Sequence, residues 1–239
     1  MKRLNEDLHE INFVIEESKI HIKCDNEEAL KAAVAEIKRH RRHLVEYIKM
    51  HPSFRYALKP IVSSPKAPRI VRLMIAASSV ANVGPMASVA GTLADIGLEC
   101  MCKKGAKIAI VENGGETAVF TEKPIVIGIF SNSLAFSSRI GFRLKREDCP
   151  IGVATSSSKT DRTLSFGEAD SVTAVADNAS LADAAATAIC NFVIGEDVKE
   201  SIQRGLEKAK LIDGVRGVLI IREDHSGLWG DLPQIVKIV

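Results

Sequence analysis

The chain carries almost no net charge of either sign: 32 basic residues against 30 acidic ones leave +2. No global field draws it to nucleic acid or to an anionic membrane, so any recognition by charge must be local. Paired cysteines are lacking as well. The five present, at positions 24, 100, 102, 149 and 190, are odd in number and offer no CxxC spacing. That excludes the usual structural zinc sites and reads as the reduced thiols of a cytosolic protein. The six histidines form no HExxH and no His-plus-Cys cluster, and no GxSxG elbow occurs, which argues against a zinc hydrolase and a triad hydrolase alike. The opening MKRLNEDLHE has no apolar stretch of the kind a secretion signal needs, so a cytoplasmic location is expected. No fixed-period repeat and no low-complexity segment interrupts the chain.

What is present is an ordinary globular composition, 46% hydrophobic and 26% charged over 239 residues. From Leu73 to Ala94 no residue is charged, a length that could cross a bilayer. Ser78, Ser79, Asn82, Ser88 and Thr92 dilute that stretch, and Gly84-Pro85 breaks its middle. Two packed helices are predicted there in place of a membrane span, with Pro85 in the first turn of the second.

The rest reads as one α+β domain over residues 1–239, with an antiparallel sheet packed against helices. Residues 1–60 hold a strand pair around Glu17-Ser18 and one long amphipathic helix from Glu27 to Pro52; residues 68–195 hold the motifs. The run Lys38 to His43 in the long helix is basic throughout. Six successive helical positions spread around the cylinder, so a solvated face is expected there, not a nucleic-acid stripe. Strands are predicted at 107–112 and 116–120 about Asn113-Gly114-Gly115, a strong hairpin signal, and at 125–130, 140–144, 171–176, 215–221 and 235–239. Helices are predicted at 181–194 and 197–210.

Two stretches carry candidate chemistry. Ala182 to Ala188 reads ADAAATA; in a helix, Asp183 and Thr187 share a face one turn apart, and the alanines let a ligand or another backbone come close. Two hard oxygen donors so placed suit Mg²⁺ or a polar small molecule, or else satisfy neighbouring backbone groups in a tight core. The segment GVATSSSKTDRTLSFG from Gly152 is read as a loop rich in hydroxyls that would cradle a phosphate or carboxylate with Lys159 and Arg162, though it lacks the Walker spacing. It reads equally as a polar surface loop. The amides of Gly114 and Gly115 would serve a ligand only if they faced it. Cys100-Met101-Cys102 is a CxC at a helix end, fit for a soft metal, for carrying sulfur or for simple burial.

Taken in order, these blocks resemble the ApbE-like superfamily, whose characterised branch comprises Mg²⁺-dependent FAD:protein FMN transferases. GVATSSS followed by SVTAVADNASLADAAATA is similar to that branch's Gly-x-Ala-Thr-Ser-Gly loop, Ser-Val-Thr-Val strand and Ala-Asp-Ala-Leu-Ala-Thr helix. NVGPMASVAGTLADI and AIVENGGE look like its glycine-containing helix start and Gly-Gly-Asp turn. A short branch of the superfamily is closer still, with Val-Gly-Pro-Met-Ala-x-Val-Ala-Gly and Val-Glu-Asn-Gly-Gly-Asp. The resemblance implies a T-fold-like, ApbE-like fold, a metal at Asp183, Thr187 and a carbonyl near Gly84, and a ligand site at Thr155, Ser156, Ser157, Ser158, Arg162, Ser165, Asn113, Gly114 and Gly115.

Departures narrow what carries over. Pro85-Met86-Ala87 stands where the flavin transferases have Lys-Gly-Tyr, and within the short branch Ser158 and Asp161 replace glycines, Arg162 a His and Glu116 an Asp. An arginine stays protonated, so Arg162 suits an anion but not a proton shuttle. The leading expectation is a protein that binds an anionic small molecule, such as FAD, FMN or another nucleotide, with Mg²⁺, for transfer or hydrolysis. A sulfur-handling role through Cys100 and Cys102 in sulfide assimilation or homocysteine formation, and a noncatalytic partner role, are the alternatives. A homodimer is expected from exposed strands.

Overall fold

A computed structural model describes residues 8–62, 64–129, 140–158 and 165–238. The N-terminal hairpin forms as β1 (His9–Ile15) and β2 (Ser18–Cys24). Helix α1 (Glu27–Met50) starts where the Asn26 side chain accepts the Ala29 N–H and Glu27 and Glu28 occupy the first turn, a favourable sign for the helix dipole. The expectation of a solvated basic face is corrected here: His40 and Arg41 are only 4% and 8% exposed. Because six consecutive positions exceed one turn, some of the run must face inward. Arg41 meets Glu16 at 2.8 Å and Glu17 at 2.9 Å, fastening the hairpin turn to the helix.

The connector after α1 contains a short helix, α2 (Ser53–Tyr56), which buries Phe54. The two predicted helices follow as α3 (Arg69–Ala81) and, after the 3-10 turn Pro85–Ser88 with Pro85 at its start, α4 (Val89–Lys103). They are bent by 101° relative to each other, and no single helix among the described residues is long and apolar enough to cross a membrane.

Beyond them come β3 (Ile108–Asn113), β4 (Glu116–Thr121), β5 (Ile125–Gly128), β6 (Ile140–Leu144), β7 (Ile151–Ser156) and β8 (Ser171–Ala176). The chain closes with α5 (Ala179–Cys190), α6 (Val198–Lys210), β9 (Val215–Arg222), β10 (His225–Gly230) and β11 (Gln234–Lys237). The β3–β4 turn centres on Gly114-Gly115, at φ 77° and 144°, one residue later than the Asn-Gly pair suggested. Helix α5 begins and ends before the predicted 181–194. Two strands went unread in the sequence: β10, broken by Gly227 and Gly230, and β7, which occupies the first residues of the segment taken as a loop.

An antiparallel eight-stranded sheet, in the order β1-β2-β3-β4-β7-β8-β9-β10, has the helices on one face and the three-stranded sheet β11-β6-β5 on the other. Alternation decides the faces. Ala154, Ala174 and Val218 meet α5 and α6, whereas Val153, Val175 and Leu219 meet Ile127 and Phe142 of the small sheet. Helix α5 lies at backbone contact with its neighbours. A methyl group at Gly91 would stand 2.1 Å from the Ala179 carbonyl oxygen, and one at Gly152 would stand 2.1 Å from the Asn178 carbonyl carbon. Gly152→Ala therefore forces α5 off β7 and is expected to cost about 3 kcal/mol or more. Urea unfolding followed by circular dichroism measures it, and a loss below about 1 kcal/mol would contradict that packing.

Candidate functional site

Helix α5 is placed by side chains from two sides. Asn178 accepts the Leu181 N–H at 2.9 Å. Asp95, projecting from α4, accepts the N–H groups of Ala179 and Ser180 at 2.8 and 2.7 Å and the Ser180 hydroxyl. Every residue of α5 is buried except Asp183 and Thr187, which are half-buried. The only open strip on this helix thus joins the carboxylate and the hydroxyl one turn further on.

Asp183 is oriented by a relay from the sheet. Asn113, 2% exposed at the end of β3, donates from Nδ2 to the Ala90 carbonyl at 3.2 Å, and the next amide, that of Gly91, donates to Asp183 Oδ2 at 2.9 Å. Glu116 pairs with Asn113 across the turn and lies near enough to Asp183 for the two carboxylates to repel. Burial pushes the Asp183 carboxyl up to about 7, the amides of Gly91 and Ala90 opposing and Asp95 adding to the rise. Burial, then the Asp183 charge, lifts Glu116 well above the usual carboxylate range. No Lys, Arg or His pairs with Asp183 or Glu116 among the described residues. Nor do three His, Cys, Asp or Glu groups come together there as a metal cage. Hard oxygens in deficit of positive charge suit an ion that takes its remaining ligands from carbonyls, water or phosphate, as Mg²⁺ does.

The hydroxyl-rich segment is divided between the two sheet faces. Thr155 follows Val153 on the face of the small sheet, and its Oγ1 lies 2.9 Å from Thr173 Oγ1, so it points away from α5. Ser156 is buried on the opposite face beside the Cys190 thiol. Ser165 donates to Cys190 Sγ at 2.9 Å, three positions past Thr187 on α5. Ser157 is buried, and Ser158 donates to the Ala169 carbonyl at 2.7 Å. Arg162 lies outside the described residues. At the β3–β4 turn the Gly114 amide is engaged with the Lys19 carbonyl at 3.1 Å. The Gly84 carbonyl accepts the Ala87 N–H at 3.1 Å, in a turn where a side chain would overlap Ala57.

Asp95 was missed in the sequence. It is the lone acid in Gly91-Thr92-Leu93-Ala94-Asp95-Ile96, and a single charge amid small apolar residues was the signal that something must bond it. Cys100 and Cys102 face different grooves, one between α1 and α4 and one between α3 and α4, as helical positions two apart do. Burial raises both thiols, that of Cys102 to about 11. A CxC pair acting together on sulfur finds no support in that arrangement.

The family model described as "AbpE bacteria" matches residues 1–213. The UPF0280 protein of Methanocaldococcus jannaschii is 40% identical over 227 residues, covering 94% of this chain and 92% of its own length. The chain belongs to this family. A second relative, the UPF0280 protein of Methanosarcina acetivorans, is 36% identical and covers 95% of this chain and 88% of its own length. Among solved structures, the flavin transferase ApbE from Vibrio cholerae, as its H257G mutant, has a TM-score of 0.60 at 15% identity, over 93% of this chain and 96% of that one. The Pseudomonas stutzeri flavinyl transferase ApbE, apo form, has a TM-score of 0.61 at 14% identity, over 93% and 94%. At such identities the likeness speaks for the fold: this family has the ApbE fold, an α+β architecture.

A raised carboxyl has a stability signature. The unfolded chain releases the Asp183 proton near 3.8, while the folded chain keeps it to about 7. Between those values the native state holds more protons, so stability contributed at this position falls as pH rises, and the loss is complete above 7. In EDTA, Asp183→Asn is expected to raise the urea midpoint over wild type at pH 7.5, with the gap closing toward pH 4.5. A gap that is flat or reversed with pH would contradict the burial of that charge.

Proposed function

We propose that this protein is a flavin-related transferase that seats the phosphates of FAD or FMN through a divalent ion at the open strip of α5. One observation carries the reading: on an otherwise buried helix, the two side chains left open are Asp183 and Thr187, the pair that the superfamily resemblance assigns to the metal. Membership of the family and the ApbE fold support the flavin.

In this reading Asp183 and Thr187 hold the ion, with a carbonyl near Gly84 as a further donor, and Glu116 adds negative charge beside it. A bound Mg²⁺ supplies charge neutralisation for phosphate oxygens. The chain's own residues do the positioning. Asn113 fixes the Ala90–Gly91 backbone, and the Gly91 N–H holds the Asp183 carboxylate in one orientation. Ser165 and Ser158, whose hydroxyls now donate to the Cys190 thiol and the Ala169 carbonyl, would turn from those partners to donate to the anion. Arg162 offers a permanent charge, and a fixed cation binds phosphate without moving a proton. With Pro85-Met86-Ala87 in place of Lys-Gly-Tyr, contacts to the flavin donor differ from those of the flavin transferases.

Titration of FAD fluorescence in MgCl₂ tests the proposal. Wild type is expected to bind saturably and to lose binding in EDTA, while Asp183→Asn and Thr187→Val weaken it at least tenfold with their circular dichroism unchanged. No Mg²⁺-dependent binding by wild type, or equal affinity in the folded variants, overturns it.

A further inference from the structure

A groove of about 810 Å³ runs between α1 and α4 and past the amino end of α3, and neither Asp183 nor Thr187 lines it. We propose that this groove is a second binding site, for a small anion carrying phosphate, held by Arg39, His40, His43, Arg69, Lys103 and Lys104. The site stands apart from the half-buried strip of α5 and does not depend on the function proposed for it.

Charge is the first support. The four permanent cations in the groove face two acids, Glu36 and Glu99. Both acids are already engaged, Glu36 with Arg39, and Glu99 with Arg69 and Lys103. Two positive charges remain in excess, and Lys104 has no ion pair among the described residues. Arg39 and Lys103 are paired along their own helices, but with Arg69 and Lys104 the cations of this concavity still outnumber its acids.

His40 is the second and independent support. Its side chain is 5% exposed, and its Nδ1 is buried without a hydrogen-bond partner. Its Nε2 stands 3.5 Å from both Glu36 Oε2 and Arg39 Nη2, at the limit of an interaction. Buried polar atoms are nearly always satisfied, and His40 lines the groove, so the unpartnered nitrogen of this residue is a polar group that a small ring rotation would offer to a ligand there. Burial first, then the charge of Arg39, lowers the proton affinity of His40, with Arg69 and His43 acting in the same direction and Glu36 against it. The part of that effect due to Arg39, Arg69 and His43, opposed by Glu36 alone, is a positive potential at the groove wall, of the sign that attracts an anion.

The third support is the amino end of α3. This helix of 13 residues opens at Pro68 with no capping side chain and no acid in its first turn, and both Pro68 and Arg69 border the groove. An uncapped helix start presents amide groups and the positive end of the dipole. Salt bridging along α1 and dipole compensation at the end of α4 account for some of the cations, but neither explains the orphaned imidazole nor the bare start of α3. The volume falls within the range for small ligands, about 300–1,000 Å³, and arginine forks with lysines select phosphate oxygens.

Calorimetric titration with sodium pyrophosphate in EDTA, which silences any divalent ion at α5, tests the site. One saturable event is expected for wild type, with His40 and His43 imidazole resonances shifting in parallel. Arg39 and Arg69 are about half exposed, at 52% and 41% of their side chains, so the Arg39→Gln/Arg69→Gln double variant is expected to fold and to bind at least tenfold more weakly. Asp183→Asn is expected to bind as wild type does. Absence of saturable binding by wild type, affinity unchanged in the folded double variant, or loss in Asp183→Asn overturns the proposal.

Discussion

Backbone contact along α5 is the constraint from which the remaining architecture follows. Where Gly91 of α4 and Gly152 of β7 touch the first turn of that helix, no side chain fits between the chains. The helix is accordingly alanine-rich, and the strand beneath it turns Gly152, Ala154 and Ser156 toward it. Small residues bury little area each, so cohesion here comes from density of contact. Bulky apolar side chains do the complementary work elsewhere, with Ile37, Leu44, Met74 and Leu93 filling the space among α1, α3, α4 and the sheet.

That close approach also governs charge. Two acids meet the same helix with different outcomes, because their hydrogen-bond supply differs and their residue type does not. Asp95 spends its oxygens on two amides and a hydroxyl at the helix start. Asp183 is half-buried, with the amides of Gly91 and Ala90 for its carboxylate and Glu116 beside it. Asp95 is spent on capping, whereas Asp183, beside a second carboxylate and with no cation paired to it among the described residues, keeps unbalanced negative charge.

Near-neutrality of the whole chain conceals this separation. Acids gather where α4, α5 and the β3–β4 turn meet, and cations gather where α1, α3 and α4 meet. Their sum nearly cancels, yet locally each leaves a field of one sign. Arg41 is a third case: buried under the N-terminal hairpin and bonded to Glu16 and Glu17, it is spent on holding the fold together.

Elements whose cause is local were legible in the residues. The long helix is written in the spacing of Leu30, Ile37 and Leu44 behind two opening acids, the β3–β4 hairpin in its glycines, and the shared face of Asp183 and Thr187 in a four-residue interval. Strand β7 was not legible, because its inward side chains had been reduced to Gly, Ala and Ser by a helix that lies later in the chain. The face taken by Thr155, the burial of His40 and Arg41, and the capping role of Asp95 were hidden for the same reason. Periodicity and turn chemistry act over a few residues and belong to the sequence alone. Which of two faces is covered, and which acid is left without a partner, depends on segments distant along the chain, and only their packing decides it.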